Sequence, residues 1–507
     1  MPNDRFLART AWLAPVALAA IVWWPLTRSY FHFDDFLDLY QLRNDDAARY
    51  FLRMYGGHVL IVRHAVTAAL DTLFGPEPRA FFAVMLGTHL LNTGLLHAIV
   101  RRLTGGWPLA VLAAALWSTS AINEGALGWW AVYGQVAATS CVLFTLLALL
   151  RVGGGGAAGA RAAAGWALVM LLAGMLFGIG IAAAMVMPVV AALLLPPGGP
   201  RRRGIAAFTV TAALLVVTYA VLRGLEQPLY GQRRIETTVV FALLTPSAAS
   251  LHLSMLGALF AFGLGTLPIG ALANPKDFPT AVHLAAVAVG ALLLVAGLWA
   301  GDWRLRRRVL ACLLLVAAMY GLIALARSMF TESVGLALLV GSLRYHYATG
   351  ALLTAALAAA GAALADRLRP PAPLLWILGA VVALAIGWSA IGVAPRIDNF
   401  DGDRAATAGV LAEIRAAVAA APPGATVEIA NRPFGNVGFM NFGYRDRFPG
   451  TAAVFAIFYP DDVVDGRRVV FTTSDLLVLE GARNGRRSAT LLRELPVPQA
   501  ADKDSPP

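Results

Sequence analysis

The chain has 507 residues, of which 59% are hydrophobic and only 14% charged, and its mean hydropathy is +0.69. A soluble domain carries roughly a quarter charged residues, so these values exclude a protein that is water-soluble throughout and require long stretches facing lipid. The net charge of +11 rests almost wholly on arginine, since Lys276 and Lys503 are the only lysines; the arginines gather at the ends of apolar runs, which membrane topology explains and a nucleic-acid partner does not.

The first apolar run, 11–26, contains a small-x-small site at Ala17 to Ala19, but cleavage there would leave a very short apolar core and put Ile21, Val22, Trp23 and Trp24 at the new terminus. It reads as an uncleaved first span. The polar stretch 27–79 follows, unusually long for a connection between helices. Further spans are predicted over 80–100, 107–120, 129–150, 165–177, 179–195, 205–222, 281–300, 309–326, 347–365 and 374–393. Cys141 and Cys312 both lie inside such runs and offer neither a disulfide framework nor metal-ligand spacing. Arginines sit at Arg5 and Arg9, Arg101 and Arg102, Arg151 to Arg161, Arg201 to Arg203, Arg304 to Arg308, and Arg367 and Arg369. With those joints in the cytoplasm the spans alternate without conflict, which puts the N-terminus inside and the C-terminus outside.

Segment 237–273 is apolar enough for two spans but carries Pro246, His252, Pro268 and several glycines. Two crossings or none preserve the charge rule; a helical hairpin or an outer-face re-entrant element fits best. The tail holds a helical run at 403–420, then strand-like runs at 426–430, 452–458, 467–472 and 476–479. The expected fold class is therefore all-α and polytopic. About eleven transmembrane helices (or thirteen, if the ambiguous segment crosses twice) occupy 1–393, and a small extracytoplasmic α/β domain occupies 394–507.

Chemistry concentrates in the first outer loop. It opens with Phe31-His32-Phe33-Asp34-Asp35-Phe36-Leu37-Asp38, two adjacent carboxylates flanked by aromatics directly after a span. Partial desolvation at a bilayer edge raises a carboxyl's proton affinity toward the working pH, as a general base requires, and a neighbouring like charge adds to it. The plain alternative is that Asp34 or Asp35 caps the helix that follows. His58, Arg63 and His64 come next and could contact an anionic substrate, although interfacial histidines more often make structural hydrogen bonds. In the span 80–100, His89 and Asn92 share a helix face, so interhelical hydrogen bonding is the expected role. Glu124, an isolated acid near the outer surface, is a substrate-binding candidate second to the Asp pair, because a lone rim carboxylate is usually solvated; Trp129 and Trp130 form an interfacial belt or a stacking platform for a sugar ring.

The run from Asp34-Asp35 through Thr88-His89-Leu90-Leu91-Asn92 resembles the GT-C superfamily of membrane glycosyltransferases, in particular bacterial protein O-mannosyltransferases and lipid A aminoarabinose transferases. Members carry an acidic pair at the start of a long first outer loop, amphipathic helices lying on the membrane, and then a span with a His-Leu-x-Asn-type pattern. In their later half an Arg-Tyr pair leads into a span, and Arg344-Tyr345-His346-Tyr347 matches it. The resemblance runs over 27–150, loosely over the later spans, and not over the tail. Many relatives place a Lys-Glu pair between the fifth and sixth spans, whereas this chain has Phe177-Gly178-Ile179-Gly180.

The resemblance implies transfer of a sugar from a polyprenyl-phosphate donor held in membrane lipid to a glycan, lipid or protein acceptor, in the periplasm at a bacterial inner membrane. Asp34 would be the base, and Asp35 would orient the acceptor or bind a divalent metal; whether any cofactor is needed stays open, and no metal ligand set is assigned. Arg344, with Tyr345 beside it, would bind the donor phosphate, because a planar guanidinium can bond two phosphate oxygens. Snorkelling of Arg344 to lipid headgroups is the competing reading. Two rival functions remain. A transporter or flippase of lipid-linked sugar would show paired half-repeats and ionisable residues at mid-bilayer, which this sequence lacks. A non-catalytic membrane scaffold would be indifferent to loss of Asp34.

Overall fold

The computed structural model describes residues 9–32, 34–155, 159–230, 246–270, 280–331, 335–431, 450–459 and 461–473. They form a mostly helical membrane protein with multiple spanning helices. Among the described residues seven helices are long and apolar enough to cross a bilayer, and five shorter apolar helices accompany them. Each apolar run predicted above coincides with one of these helices. Their lipid-facing character shows as exposed apolar surface that water would not tolerate: of an 18-residue stretch within Ala372–Gly392 only 11% is buried, and Trp376, Leu384 and Ile391 stand open.

In chain order the helices are α1 (Leu13–Trp23), α2 (Asp34–Asn44), α3 (Ala47–Leu52), α4 (Ile61–Phe74), α5 (Pro78–Thr104), α6 (Trp107–Thr119), α7 (Glu124–Leu127), α8 (Tyr133–Gly153), α9 (Ala160–Leu176), α10 (Gly178–Leu194), α11 (Gly199–Tyr230), α12 (Pro246–Gly270), α13 (Thr280–Ala300), α14 (Trp303–Arg327), α15 (Leu336–Val340), α16 (Tyr347–Leu368), α17 (Ala372–Ala420) and α18 (Gly450–Phe458). Segment 237–273 contributes one unbroken helix, α12, packed on α13, α14 and α16; its remaining residues lie outside those described.

The bundle is fastened by side chains as well as by packing. His89 and Asn92 on α5 meet the Tyr347 hydroxyl on α16 at 2.9 and 3.1 Å. The other ring nitrogen of His89 reaches the Ser118 carbonyl at 3.0 Å, and Asn92 Oδ1 accepts from Ser140 at 2.7 Å. The carbonyl partner fixes the tautomer: Nε2 donates, so Nδ1 accepts from Tyr347, whose oxygen in turn accepts from Asn92. The interhelical role expected for His89 and Asn92 is thus the observed one.

The tail departs from expectation at one element. The run 452–458, expected as a strand, lies in the helix α18. A short continuous apolar run does not reveal its period; here the buried positions Val454, Phe455 and Ile457 follow helical spacing, and the intervening Ala456 favours helix. Strands β3 (Thr426–Asn431) and β5 (Arg467–Thr473) pair in parallel, and β4 (Val463–Val464) adds antiparallel to β5. The expected strand at 476–479 and the turns at 432–444 lie outside the described residues. The helical run 403–420 is no separate element: it continues the last apolar helix as the second half of the 49-residue α17.

Candidate active site

The loop 27–79 folds into a compact assembly over one end of the bundle. Both acids of its opening pair fall in the first turn of α2, where the helix dipole favours negative charge. Asp46 then caps α3 by accepting the Arg49 N–H at 2.9 Å. A hairpin of β1 (Met54–Tyr55) and β2 (His58–Val59) follows, pairing Tyr55 with His58. Its two-residue turn, Gly56-Gly57, has φ of +55° and +80°, the left-handed backbone that such a turn demands and that glycine alone adopts without strain. The hairpin leads into α4, whose Asp71 returns to accept from Arg43 at 2.9 and 3.2 Å.

Within this assembly the two adjacent acids part company. Asp35 is fully buried and both its oxygens accept backbone N–H groups, from His32 at 2.9 Å and from Ala131 at 2.7 Å. It caps its own helix and pins the loop to the turn before α8. Asp34 is buried too, but its Oδ1 has no hydrogen-bond partner among the described residues. Burial pushes its carboxyl up to about 7, with Asp38 adding to the rise against the opposing pull of the Tyr55 hydroxyl and of Arg344 and Arg63. Asp35 thus spends both oxygens on backbone N–H groups, whereas Asp34 keeps a buried carboxyl of raised proton affinity.

Arg344 arrives from the 3₁₀ turn Leu343–His346, 310 positions along the chain. Its guanidinium lies over Trp129 at 5.1 Å and over the Tyr345 ring at 5.3 Å, and it enters no ion pair among the described residues. Trp129 in turn meets the His32 ring edge-on at 6.1 Å, which brings it beside the start of α2. The backbone of Arg344 is fixed by Gln135, which donates to its carbonyl. It is also fixed by the close approach of Gly125 in α7, where a Cβ would stand 2.7 Å from the Arg344 nitrogen. Glu124 opens that same short helix and is buried there.

The other predicted residues divide. Arg63 donates to Asp38, and the Tyr50 hydroxyl reaches the same carboxylate at 3.5 Å. Burial opposes the charge on Arg63, but Asp38, Tyr50 and Asp35 together outweigh it and hold the guanidinium protonated. His64 Nε2 lies 3.7 Å from Asp38, yet burial holds its imidazole down at about 4, so at neutral pH this is a contact with a neutral ring. Arg63 and His64 thus form a buried cluster that braces α2 against α4. His58 stacks on Phe177 at 4.1 Å, over Gly178, where a Cβ would stand 2.6 Å from His58 Nδ1. Burial, then Arg327, Arg344 and Arg63, push its imidazole down to about 3.

Two features escaped sequence reasoning. The corner Phe177-Gly178, noted only for lacking a Lys-Glu pair, is the seat of His58. Arg327, at the end of α14, has its Nη2 3.8 Å from where a Gly56 Cβ would be, so it stands at the hairpin turn beside this site. The signal for Arg327 was available: it sits at the opposite end of its helix from Arg304 to Arg308, against the charge rule that places the others. Among the described residues no group of three or more His, Cys, Asp or Glu side chains could hold a metal ion.

No family model matches the chain, and no curated protein matches it. Among solved structures it is similar to ArnT from Cupriavidus metallidurans bound to undecaprenyl phosphate, at 15% sequence identity and a TM-score of 0.36, over 94% of this chain and 89% of that one. It is similar also to ArnT from the same organism in the apo state, at 16% identity and a TM-score of 0.35, over 94% and 95% of the two chains.

Proposed function

We propose that the chain is a GT-C-type glycosyltransferase that moves a sugar from a polyprenyl-phosphate donor to an acceptor hydroxyl. The observation that carries this reading is that Arg344 lies near enough to Asp34 to favour its charged form. One is a buried carboxyl with an unpartnered oxygen and a proton affinity near neutrality. The other is a guanidinium held by aromatic faces rather than by a carboxylate. Reaction with a sugar phosphate needs those two groups on either side of the anomeric carbon.

Asp34, as carboxylate, takes the proton of the acceptor hydroxyl as its oxygen attacks the anomeric carbon. The bond from that carbon to the phosphate oxygen breaks, and the polyprenyl phosphate leaves with the bonding pair. Arg344 offsets the charge gathering on the phosphate, its fork suited to two oxygens at once. Asp35, bound to two backbone N–H groups, fixes the position of its neighbour. Trp129 beneath the guanidinium keeps Arg344 aimed while offering a ring face to a sugar. In this reading the eleven predicted spans cross a bacterial inner membrane, the arginine-rich joints lie in the cytoplasm, and the Asp34 end and the tail face the periplasm.

The test is release of sugar from radiolabelled polyprenyl-phosphate sugars by the wild-type protein and Asp34→Asn in lipid nanodiscs. Turnover by the wild type, lost in Asp34→Asn at unchanged thermal stability below pH 4, supports the assignment. Equal turnover in both removes Asp34 from the mechanism; no turnover with any donor favours a transporter or a scaffold.

A further inference from the structure

Helix α2 has a polar sequence, yet every residue from 34 to 41 is buried. A polar helix in a connecting segment ordinarily keeps one face in water, so something must cover the face turned away from the bundle. Part of that cover comes from the far end of the chain. Helix α18 packs against α2, and Phe458 at its end stacks on Tyr30 with ring centroids 6.3 Å apart and planes 14° from parallel. Tyr30 touches Phe31 and Phe36, at 6.0 and 6.3 Å. Phe31 meets Phe81 edge-on at 5.1 Å, and Phe81 meets Trp130 edge-on at 4.9 Å.

This chain of rings brackets Asp34. It enters just ahead of α2 and ends at Trp130, next to the Ala131 N–H that binds Asp35. On its other side α18 is secured to the tail's own sheet. Val454, Phe455 and Ile457 are buried, and Phe455 packs on Phe471 of β5 at 5.2 Å. The enclosure at Tyr30 is tight enough that burial raises its phenol well above the ordinary range, with Glu77 and Tyr459 adding to the rise.

We propose that α18 is a positioning element of the Asp34 site: through Phe458 on Tyr30 it holds the helix that carries Asp34 in place and keeps water from it. The tail then acts on turnover without touching substrate, a consequence that rests on the function proposed above. The docking itself does not.

The test uses the full chain in nanodiscs and reads amide hydrogen exchange of residues 34–44 alongside steady-state kinetics. The variants are Phe458→Ala, Phe458→Tyr and Tyr30→Leu. Phe458→Ala and Tyr30→Leu should each speed exchange in 34–44 by about tenfold, with α5 and α8 unchanged. Each should lower kcat by about tenfold at constant donor KM, the pattern of a displaced catalytic group, and Phe458→Tyr should restore both. Unchanged exchange in 34–44, with loosening confined to 450–473, overturns the proposal, as does a rise in KM at constant kcat. If Phe458→Ala loosens the whole chain, Tyr30→Leu decides, because it leaves the tail's own core untouched. Exchange needs no substrate, so an inactive wild type would sink the transferase reading and leave this one to be judged alone.

Discussion

The arginines at the two ends of the bundle have different partners. At the end bearing the arginine-rich joints, four of them bind carbonyls at helix C-termini, while Arg367 lies over the Trp299 ring at 4.3 Å. Arg307 takes the Leu193 carbonyl, Arg201 takes that of Leu195 at 2.8 Å, Arg306 takes those of Leu298 and Trp299 at 2.7 and 3.1 Å, and Arg102 takes that of Arg151 at 3.2 Å. Each guanidinium caps carbonyls that lack an intrahelical donor and meets the negative end of a helix dipole. At the Asp34 end, Arg43, Arg53 and Arg63 pair with Asp71, Asp45 and Asp38, while Arg344 and Arg327 lie on aromatic rings and enter no ion pair among the described residues. At the Asp34 end, what meets the guanidinium thus separates arginines paired with carboxylates from arginines that lie on aromatic rings.

That distinction can be broken by mutation, and Asp34→Asn should have the largest effect. Sugar release should fall by about 10²- to 10⁴-fold, the usual worth of a general base. The same variant tests the raised proton affinity of Asp34. Turnover in the wild type should rise with pH through about 7 as the carboxyl ionises. Stability should run the other way. The folded carboxyl keeps its proton up to about 7 and the unfolded one only to 3.8, so the folded state binds more protons in between and loses stability as pH rises across that window. Denaturation at pH 8 should find Asp34→Asn more stable than wild type, by about 4 kcal/mol, and at pH below 4 indistinguishable from it.

Asp35→Ala should cost about 2–4 kcal/mol by denaturant titration, since it strands the buried Ala131 N–H and the part-buried His32 N–H. The neighbouring acids would then differ in kind, one read in turnover and the other in stability. Arg344→Ala should lower kcat about 10- to 100-fold with little loss of stability, and Arg344→Lys should recover only part, because an ammonium lacks the fork. Arg307→Ala should do the reverse, costing about 1–2 kcal/mol through the lost cap with turnover per folded molecule unchanged. Equal losses of turnover in the Arg344 and Arg307 variants would dissolve the contrast between the two ends.

The bundle was legible in the sequence because lipid imposes one strong rule, an apolar run of fixed length, and charge placement orders the runs. The acid pair was legible as well, but the division between Asp34 and Asp35 was not. It turns on the Ala131 N–H, which lies 96 positions away, and no local pattern reports such a partner. Arg344 was picked out by a motif, whereas its electrostatic pull on Asp34 depends on the whole bundle. The tail gave the weakest signal. Residues 454–458 are apolar at nearly every position, so their period was hidden until packing on Phe471 and Tyr30 selected a helix.

The 49-residue α17 has one more consequence. At 1.5 Å per residue it is a rod about 74 Å long, apolar over its first half and leading into the tail with its second. A change of tilt of about 5° would swing its far tip by about 6 Å, and tilt is what bilayer thickness adjusts. Pro395, which lacks an N–H for the Ile391 carbonyl, stands where the halves meet, so a bend there would absorb part of the swing. Lipid composition thus has a mechanical lever reaching toward the rings around Tyr30, far from any contact between lipid and the acid pair.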